Sequence, residues 1–222
     1  MSRKIKIMNQ VNRNQKLHDA EETLHLGVKE LGLNLEPKII NKLLIYKDLL
    51  IKWNKKINLT ALRDDMSITT HHLLDCLAIL KYIKGEKILD VGSGAGLPGL
   101  IIAICEPSKQ VTLIDKVEKK ISFLRQVCIE LDLKNTEVIH ARIEALDRQD
   151  YFDTVISRAF SDLDNFIFLT KKFLKNSGYW LAMKGKKVAG NKLLPIQLEH
   201  TVIDIMVPFL NAERCIVMIK KN

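Results

Sequence analysis

Between Glu36 and Asn54 the apolar residues Ile39, Leu43, Tyr46, Leu50 and Trp53 recur at spacings of three and four. That period gathers them on one stripe of an α-helix, leaving an outer face rich in lysine. The same pattern predicts a helix over Asp65–Ile83, with Leu73, Leu74, Leu77 and Leu80 inward and Gly85 ending it, and another over Gln15–Leu31, closed near Gly32. After Gly85 the period changes. Short β-rich runs at Ile88–Val91, Val111–Asp115, Glu137–His140, Thr154–Ser157 and Tyr179–Met183 alternate with helical stretches at Pro98–Cys105, Glu118–Leu131 and Leu163–Leu174. Such alternation predicts a mostly parallel sheet with helices on both faces. The tail departs from it: Thr201–Val207 and Arg214–Ile219, joined by Pro208–Glu213, read as an antiparallel hairpin at one sheet edge. The expected fold is a doubly wound α/β sheet of seven strands, the last antiparallel, behind an N-terminal helical extension. Residues 1–84 form a basic arm and helical cap, and residues 85–222 the sheet domain.

Composition narrows this reading. The chain of 222 residues suits one main domain with a modest extension, and 47% apolar against 27% charged residues argues for a packed core over disorder. The longest apolar run, Leu97–Cys105, is far short of the roughly 20 residues of a membrane span. The basic N-terminus has no apolar stretch after it to make a signal peptide. A cytoplasmic protein with no membrane association is expected. Cys76, Cys105, Cys128 and Cys215 form no C-x-x-C pair, and His71-His72 has no cysteine at ligand spacing, so reduced thiols and no metal are expected. The net charge of +9 is unevenly spread. Arg3, Lys4, Lys6, Arg13 and Lys16 stand together without an acid. A second group runs from Lys38 to Lys56, and a third holds Lys184, Lys186, Lys187 and Lys192. Such clusters can be a merely solvated surface, but three in a small chain favour a polyanionic partner, a nucleic acid.

The chemistry concentrates in Ile88-Leu89-Asp90-Val91-Gly92-Ser93-Gly94-Ala95-Gly96-Leu97-Pro98-Gly99, a strand, a glycine-rich turn and a helix opened by Pro98. Glycine lets such a turn approach a ligand closely, and the helix N-terminus behind it favours an anionic group. Two cofactors compete for the loop. Gly94-x-Gly96-x-x-Gly99 matches the dinucleotide fingerprint, with Asp115 ending the next strand to grip a ribose. Three features favour S-adenosylmethionine instead: Asp90 closing the strand before Gly92-x-Gly94-x-Gly96, the helical cap ahead of the sheet, and the reversed last strand. Gly92, Gly94 and Gly96 are then expected beneath the methionine part and Asp115 at the ribose hydroxyls. Glu144 would meet the adenine amino group, with Ile143 against the ring; for Glu144 a solvated helix position is the competing reading.

The acceptor leaves weaker marks. Transfer to cytosine C5 needs a cysteine nucleophile, commonly beside proline, and no cysteine here has a proline neighbour. Transfer to an exocyclic amine typically uses an Asn/Asp-Pro-Pro-aromatic loop after the fourth strand, where this chain has Ser157-Arg158-Ala159-Phe160. Arginine suits guanine, whose N7 and O6 are paired acceptors. N7 carries a lone pair and no proton, so its methylation requires placement and no general base. Arg158 is the candidate catalytic residue, with a structural ion pair below the sheet as the alternative.

These motifs, together with Trp53-Asn54-Lys55-Lys56-Ile57-Asn58-Leu59-Thr60-Ala61-Leu62-Arg63-Asp64, His72-Leu73-Leu74-Asp75-Cys76-Leu77 and Lys184-Gly185, resemble nearly end to end the bacterial glucose-inhibited division protein B (GidB) family. The resemblance implies a 16S ribosomal RNA guanine-N7 methyltransferase that uses S-adenosyl-L-methionine and acts on ribosomal RNA or the small ribosomal subunit. It implies cofactor contacts at Gly92, Leu97, Ile143, Glu144 and Arg158; a monomer is expected. Lys116 stands where the family usually has serine, Lys119-Lys120 replaces a Lys-Arg pair, and the first 16 residues are an extension of little resemblance. These departures are expected to leave the pocket walls untouched. The rivals are a methyltransferase for another RNA, a protein or a small molecule, a nicotinamide-dependent oxidoreductase, and a silent RNA-binding scaffold.

Overall fold

The computed structural model describes residues 19–158, 162–185 and 198–221. The basic arm, Ala159-Phe160 of the motif after the fourth strand, and Lys186, Lys187 and Lys192 of the third cluster lie outside these. Helix α1 covers Ala20–Glu30, with Asp19 capping it by accepting from the Glu22 amide at 2.7 Å; residues 15–18 of the predicted helix lie outside the described residues. Helix α2, Pro37–Ile57, buries Ile39, Leu43, Tyr46 and Leu50 along the stripe read from the sequence. One of its lysines breaks the outer-face pattern: Lys47 turns inward and pairs with Asp65 at 2.6 Å.

The predicted helix Asp65–Ile83 is not one regular α-helix. Helix α3 begins over Asp65–Ile68, widens into a π turn over Thr69–Leu74 and closes over Asp75–Leu77, with a separate 3-10 turn at Leu80–Tyr82. His72 to Leu77 are all buried, which a regular surface helix with one apolar stripe does not do. The π turn takes an extra residue into one turn, and such turns recur at functional sites.

The sheet has seven strands in the order β3-β2-β1-β4-β5-β7-β6. They are β1 Lys87–Val91, β2 Gln110–Asp115, β3 Thr136–His140, β4 Phe152–Ser157, β5 Leu174–Lys184, β6 His200–Ile205 and β7 Arg214–Lys220. The five strands from β3 to β5 are parallel, and β7 runs antiparallel between β5 and β6. Helices α4 (Gly99–Cys105) and α5 (Glu118–Glu130) pack on the same face as α1–α3, while α6 (Leu163–Thr170) covers the other. Successive strand residues alternate between two cores, Ile88 toward the first and Leu89 toward the second. The first core runs unbroken from Leu24 and Tyr46 in the cap to Leu100 and Phe123 behind the sheet.

Helix α6 stops at Thr170, four residues before its predicted end, and β5 starts at Leu174. Thr170 bonds back to the Phe166 carbonyl at 2.6 Å and receives the Trp180 indole N–H at 2.9 Å. The Phe173 carbonyl then accepts the amides of Tyr151 and Phe152, which draws this stretch into the sheet. Among the described residues, no helix is long and apolar enough to cross a membrane.

Candidate active site

The glycine loop leaves β1 at Val91 with Gly92, Gly94 and Gly96 at φ +69°, +59° and +84°, a region that L side chains rarely adopt. Among the described residues, nothing lies within 4 Å of where a Cβ on Gly92 would stand, whereas one on Gly96 would run into Leu100 and Leu124. Gly92 therefore opens space toward a ligand, and Gly96 lets the loop close on the helices behind it. The cap holds the same loop: the buried Tyr46 hydroxyl donates to the Ala95 carbonyl at 2.8 Å.

Two aspartates brace the loop. Asp115, at the end of β2, accepts from the Gly94 amide through Oδ2 and from the Val117 amide through Oδ1, both at 2.9 Å. Asp90 accepts from the Gly99 amide through Oδ2 at 3.0 Å, while its Oδ1 is buried with no hydrogen-bond partner among the described residues. The N-terminus of α4 is thus capped by the chain's own Asp90, where the sequence pointed to an anionic ligand group. Burial pushes the Asp90 carboxyl up to about 7, opposed by the Gly99 amide and by Arg158.

A cleft of about 360 Å³ opens beside Gly92 at the carboxyl ends of β1, β2 and β3. Gly92 and Asp115 lie in its floor, and Ile143 and Glu144, on a 3-10 turn after β3, form one wall. Gly94 sits beneath it, tied to Asp115, and the Leu97 side chain is buried in the first core. Sequence reasoning missed Val117, Asn165 and Leu169, which also line the cleft. The last two come from α6 and meet it only through packing, so no local signal marks them. Lys116 and Lys120 line it too, contrary to the expectation that these departures leave the walls untouched.

Arg158 opens on a second hollow, of about 270 Å³, between the cap and the ends of β4 and β5. Its Nη1 lies 3.0 Å from His72 Nδ1 and 3.9 Å from Asp75 Oδ2. His72 Nδ1 also lies 2.9 Å from the His71 carbonyl, and Nε2 lies 2.7 Å from Thr60 Oγ1, so both ring nitrogens are engaged by the protein whichever of them carries the proton. Burial, and then the Arg158 charge, hold His72 down to about 4 and hence neutral. Thr60 is placed in turn by buried Asn54, which accepts the Thr60 amide and donates to the Leu62 carbonyl, both at 2.9 Å. Asp75 also accepts from Arg214 Nε at 3.0 Å. Among the described residues, the carboxylate paired with Arg158 is Asp75 of the cap. Burial raises the thiols of Cys76, Cys105 (to about 12) and Cys128 (to about 11), leaving none of these three a ready thiolate.

A parallel sheet with a reversed β7, a glycine loop after β1 and a ligand cleft beyond it define a class I S-adenosylmethionine-dependent methyltransferase. A solved methyltransferase of that type from Aquifex aeolicus has the same fold, with a TM-score of 0.56 at 20% identity over 78% of this chain and 98% of the other. The chain belongs to the GidB family, rRNA small subunit methyltransferase G, whose model matches residues 39–213. It is 45% identical to the ribosomal RNA small subunit methyltransferase G of Methylobacillus flagellatus over 90% of this chain and 97% of that one. It is equally similar to the protein of that name from Neisseria gonorrhoeae, over 92% of this chain and all of the relative.

The residues present fit S-adenosylmethionine. The space a Cβ at Gly92 would take is open, Ile143 and Val117 offer apolar surface to a ring, and Asp115 and Glu144 offer acceptors to hydroxyl and amino groups. The orphaned Asp90 oxygen suits an ammonium, reached directly or through water.

Proposed function

We propose that this chain, acting as a cytoplasmic monomer, transfers a methyl group from S-adenosylmethionine to N7 of a guanine in 16S ribosomal RNA, free or within the small ribosomal subunit. The cofactor supplies an electrophilic methyl group on its sulfonium. Gly92, Gly94 and Gly96 would pass beneath its methionine part, Asp115 would hold its ribose, and Ile143 and Glu144 its adenine, while Leu97, with its side chain buried in the first core, would meet it through the backbone. Arg158 follows Ser157, whose hydroxyl donates to the carbonyl of Val91 in the cleft's lining, and would address guanine O6 and leave N7 open.

The observation that carries this reading is the locked state of His72. Both its ring nitrogens have partners in the protein, Nδ1 beside Arg158 and the His71 carbonyl and Nε2 beside Thr60, so it serves as a fixed support and offers no general base. N7 needs none, because its lone pair is free. The chain's own work is then to exclude water, hold the base and align it, and proximity of this kind supplies a large share of a barrier reduction.

Arg158→Ala should lose most methyl transfer to ribosomal RNA while circular dichroism shows the fold intact. Arg158→Lys should recover little, since an ammonium cannot replace the planar fork. Near-normal turnover by Arg158→Ala would make the arginine structural only and remove it from the account.

A further inference from the structure

The hollow that Arg158 shares is built from parts that no single stretch of sequence brings together. Arg214 is the first residue of β7 and reaches the carboxyl ends of β4 and β5 because β7 runs antiparallel, with Cys215 opposite Lys184. Asp75 arrives from the other side, on the last turn of α3, just past the π turn. Its Oδ1 is bonded to Arg214, while its Oδ2 stands 3.9 Å from Arg158, too far for a hydrogen bond. A carboxylate accepts at about four lone-pair positions, so Asp75 keeps acceptor capacity between two guanidinium groups. Leu62 and Met183 supply apolar surface alongside.

We propose that this hollow reads the acceptor base, with Asp75 and Arg214 as the pair that selects guanine. The proposal rests on the methyl-transfer reading above. Guanine presents an acceptor, O6, beside two donors, N1–H and the N2 amino group, along one edge. A carboxylate flanked by guanidinium groups is the complement of that edge. Adenine in the same place would turn its N1 lone pair toward the carboxylate, and a site built for one hydrogen-bonding pattern strongly rejects the opposite one. Gripping the base by this edge leaves N7, on the far side of O6, open to the cofactor cleft. The base must be unpaired to enter, as single-stranded or flipped nucleotides are.

The test uses the protein saturated with S-adenosylhomocysteine and titrates guanosine, inosine and adenosine 5′-monophosphates, followed by NMR. Inosine lacks only the N2 amino group. The wild type should bind the guanosine nucleotide about tenfold more tightly than the inosine one, the loss expected for one hydrogen bond to a charged group, and the adenosine nucleotide more weakly still. Asp75→Asn should erase the difference between the first two while S-adenosylhomocysteine affinity, which reports the fold, is unchanged. The wild-type comparison alone decides the matter if that variant does not fold. Equal affinity for the guanosine and inosine nucleotides, no saturable binding of any nucleotide, or equal binding of all three that Arg214→Ala abolishes would overturn the proposal, the last revealing a phosphate site. A protein that keeps the guanosine preference yet methylates no RNA would support this subsite and refute the proposed reaction.

Discussion

At the scale of single residues, two buried titratable groups oppose each other. Asp90 is raised from 3.8 to about 7, so between those values the folded state holds the extra proton and stability falls as pH rises. His72 is lowered from 6.5 to about 4, so between those values the unfolded state holds the extra proton and stability rises with pH. Each slope reaches at most about 1.4 kcal/mol per pH unit, and from about pH 4.5 to 6.5 the two largely cancel. Asp90→Asn removes the falling limb, so its stability relative to the wild type should climb from about pH 5 to about pH 7 in urea denaturation. A constant gap across that range would show that Asp90 does not take up the proton. Asp115→Ala should weaken binding of S-adenosylhomocysteine by about tenfold or more, since charge-assisted hydrogen bonds contribute about 1.5–3 kcal/mol. The substitution also frees the Gly94 and Val117 amides, so part of the loss comes from a loosened loop. Unchanged calorimetric affinity would remove Asp115 from the site.

At the scale of elements, the cap works through side chains that bridge segments. Asn54 holds the 58–63 loop by two hydrogen bonds, and through Thr60 it fixes His72 and so Arg158. Asn54→Ala should cost about 1–3 kcal/mol, the range for leaving buried partners unsatisfied, and should lower methyl transfer more than cofactor affinity. A variant destabilised yet fully active would show that the loop does not support the arginine. The amphipathic stripe of α2, the short β-rich runs of β1, β2 and β4 and the glycine loop were all legible, because local composition, period and turn chemistry decide them. The π turn in α3 was not, since Leu73, Leu74 and Leu77 fit an α stripe equally well and only the burial of His72 and Asp75 separates the two. The end of α6 at Thr170 was hidden for a related reason: Trp180, distant in sequence, takes the threonine hydroxyl. In the site, Gly92, Asp115, Ile143 and Glu144 followed from motif and strand order. Asn165, Leu169 and Arg214 arrive by tertiary packing and a reversed strand, which no nearby residue announces.

At the scale of the whole molecule, charge and fold meet in one task. With a net charge of +9, RNA affinity should fall steeply as salt rises, because each neutralised phosphate releases condensed counterions. Deleting residues 1–13, which carry Arg3, Lys4, Lys6 and Arg13, should make that slope shallower by about 0.7–0.9 for every phosphate the arm neutralises. An identical slope would show that the arm does not touch RNA. The central claim is that this assembly of cap, loop and sheet methylates guanine N7 in ribosomal RNA. Its most direct measurement incubates the protein with radiolabelled S-adenosylmethionine and ribosomal RNA, or small subunits, lacking the modification, then digests the RNA to nucleosides. Label should be found in 7-methylguanosine and nowhere else; label in another nucleoside, or none transferred to either substrate, would contradict the account.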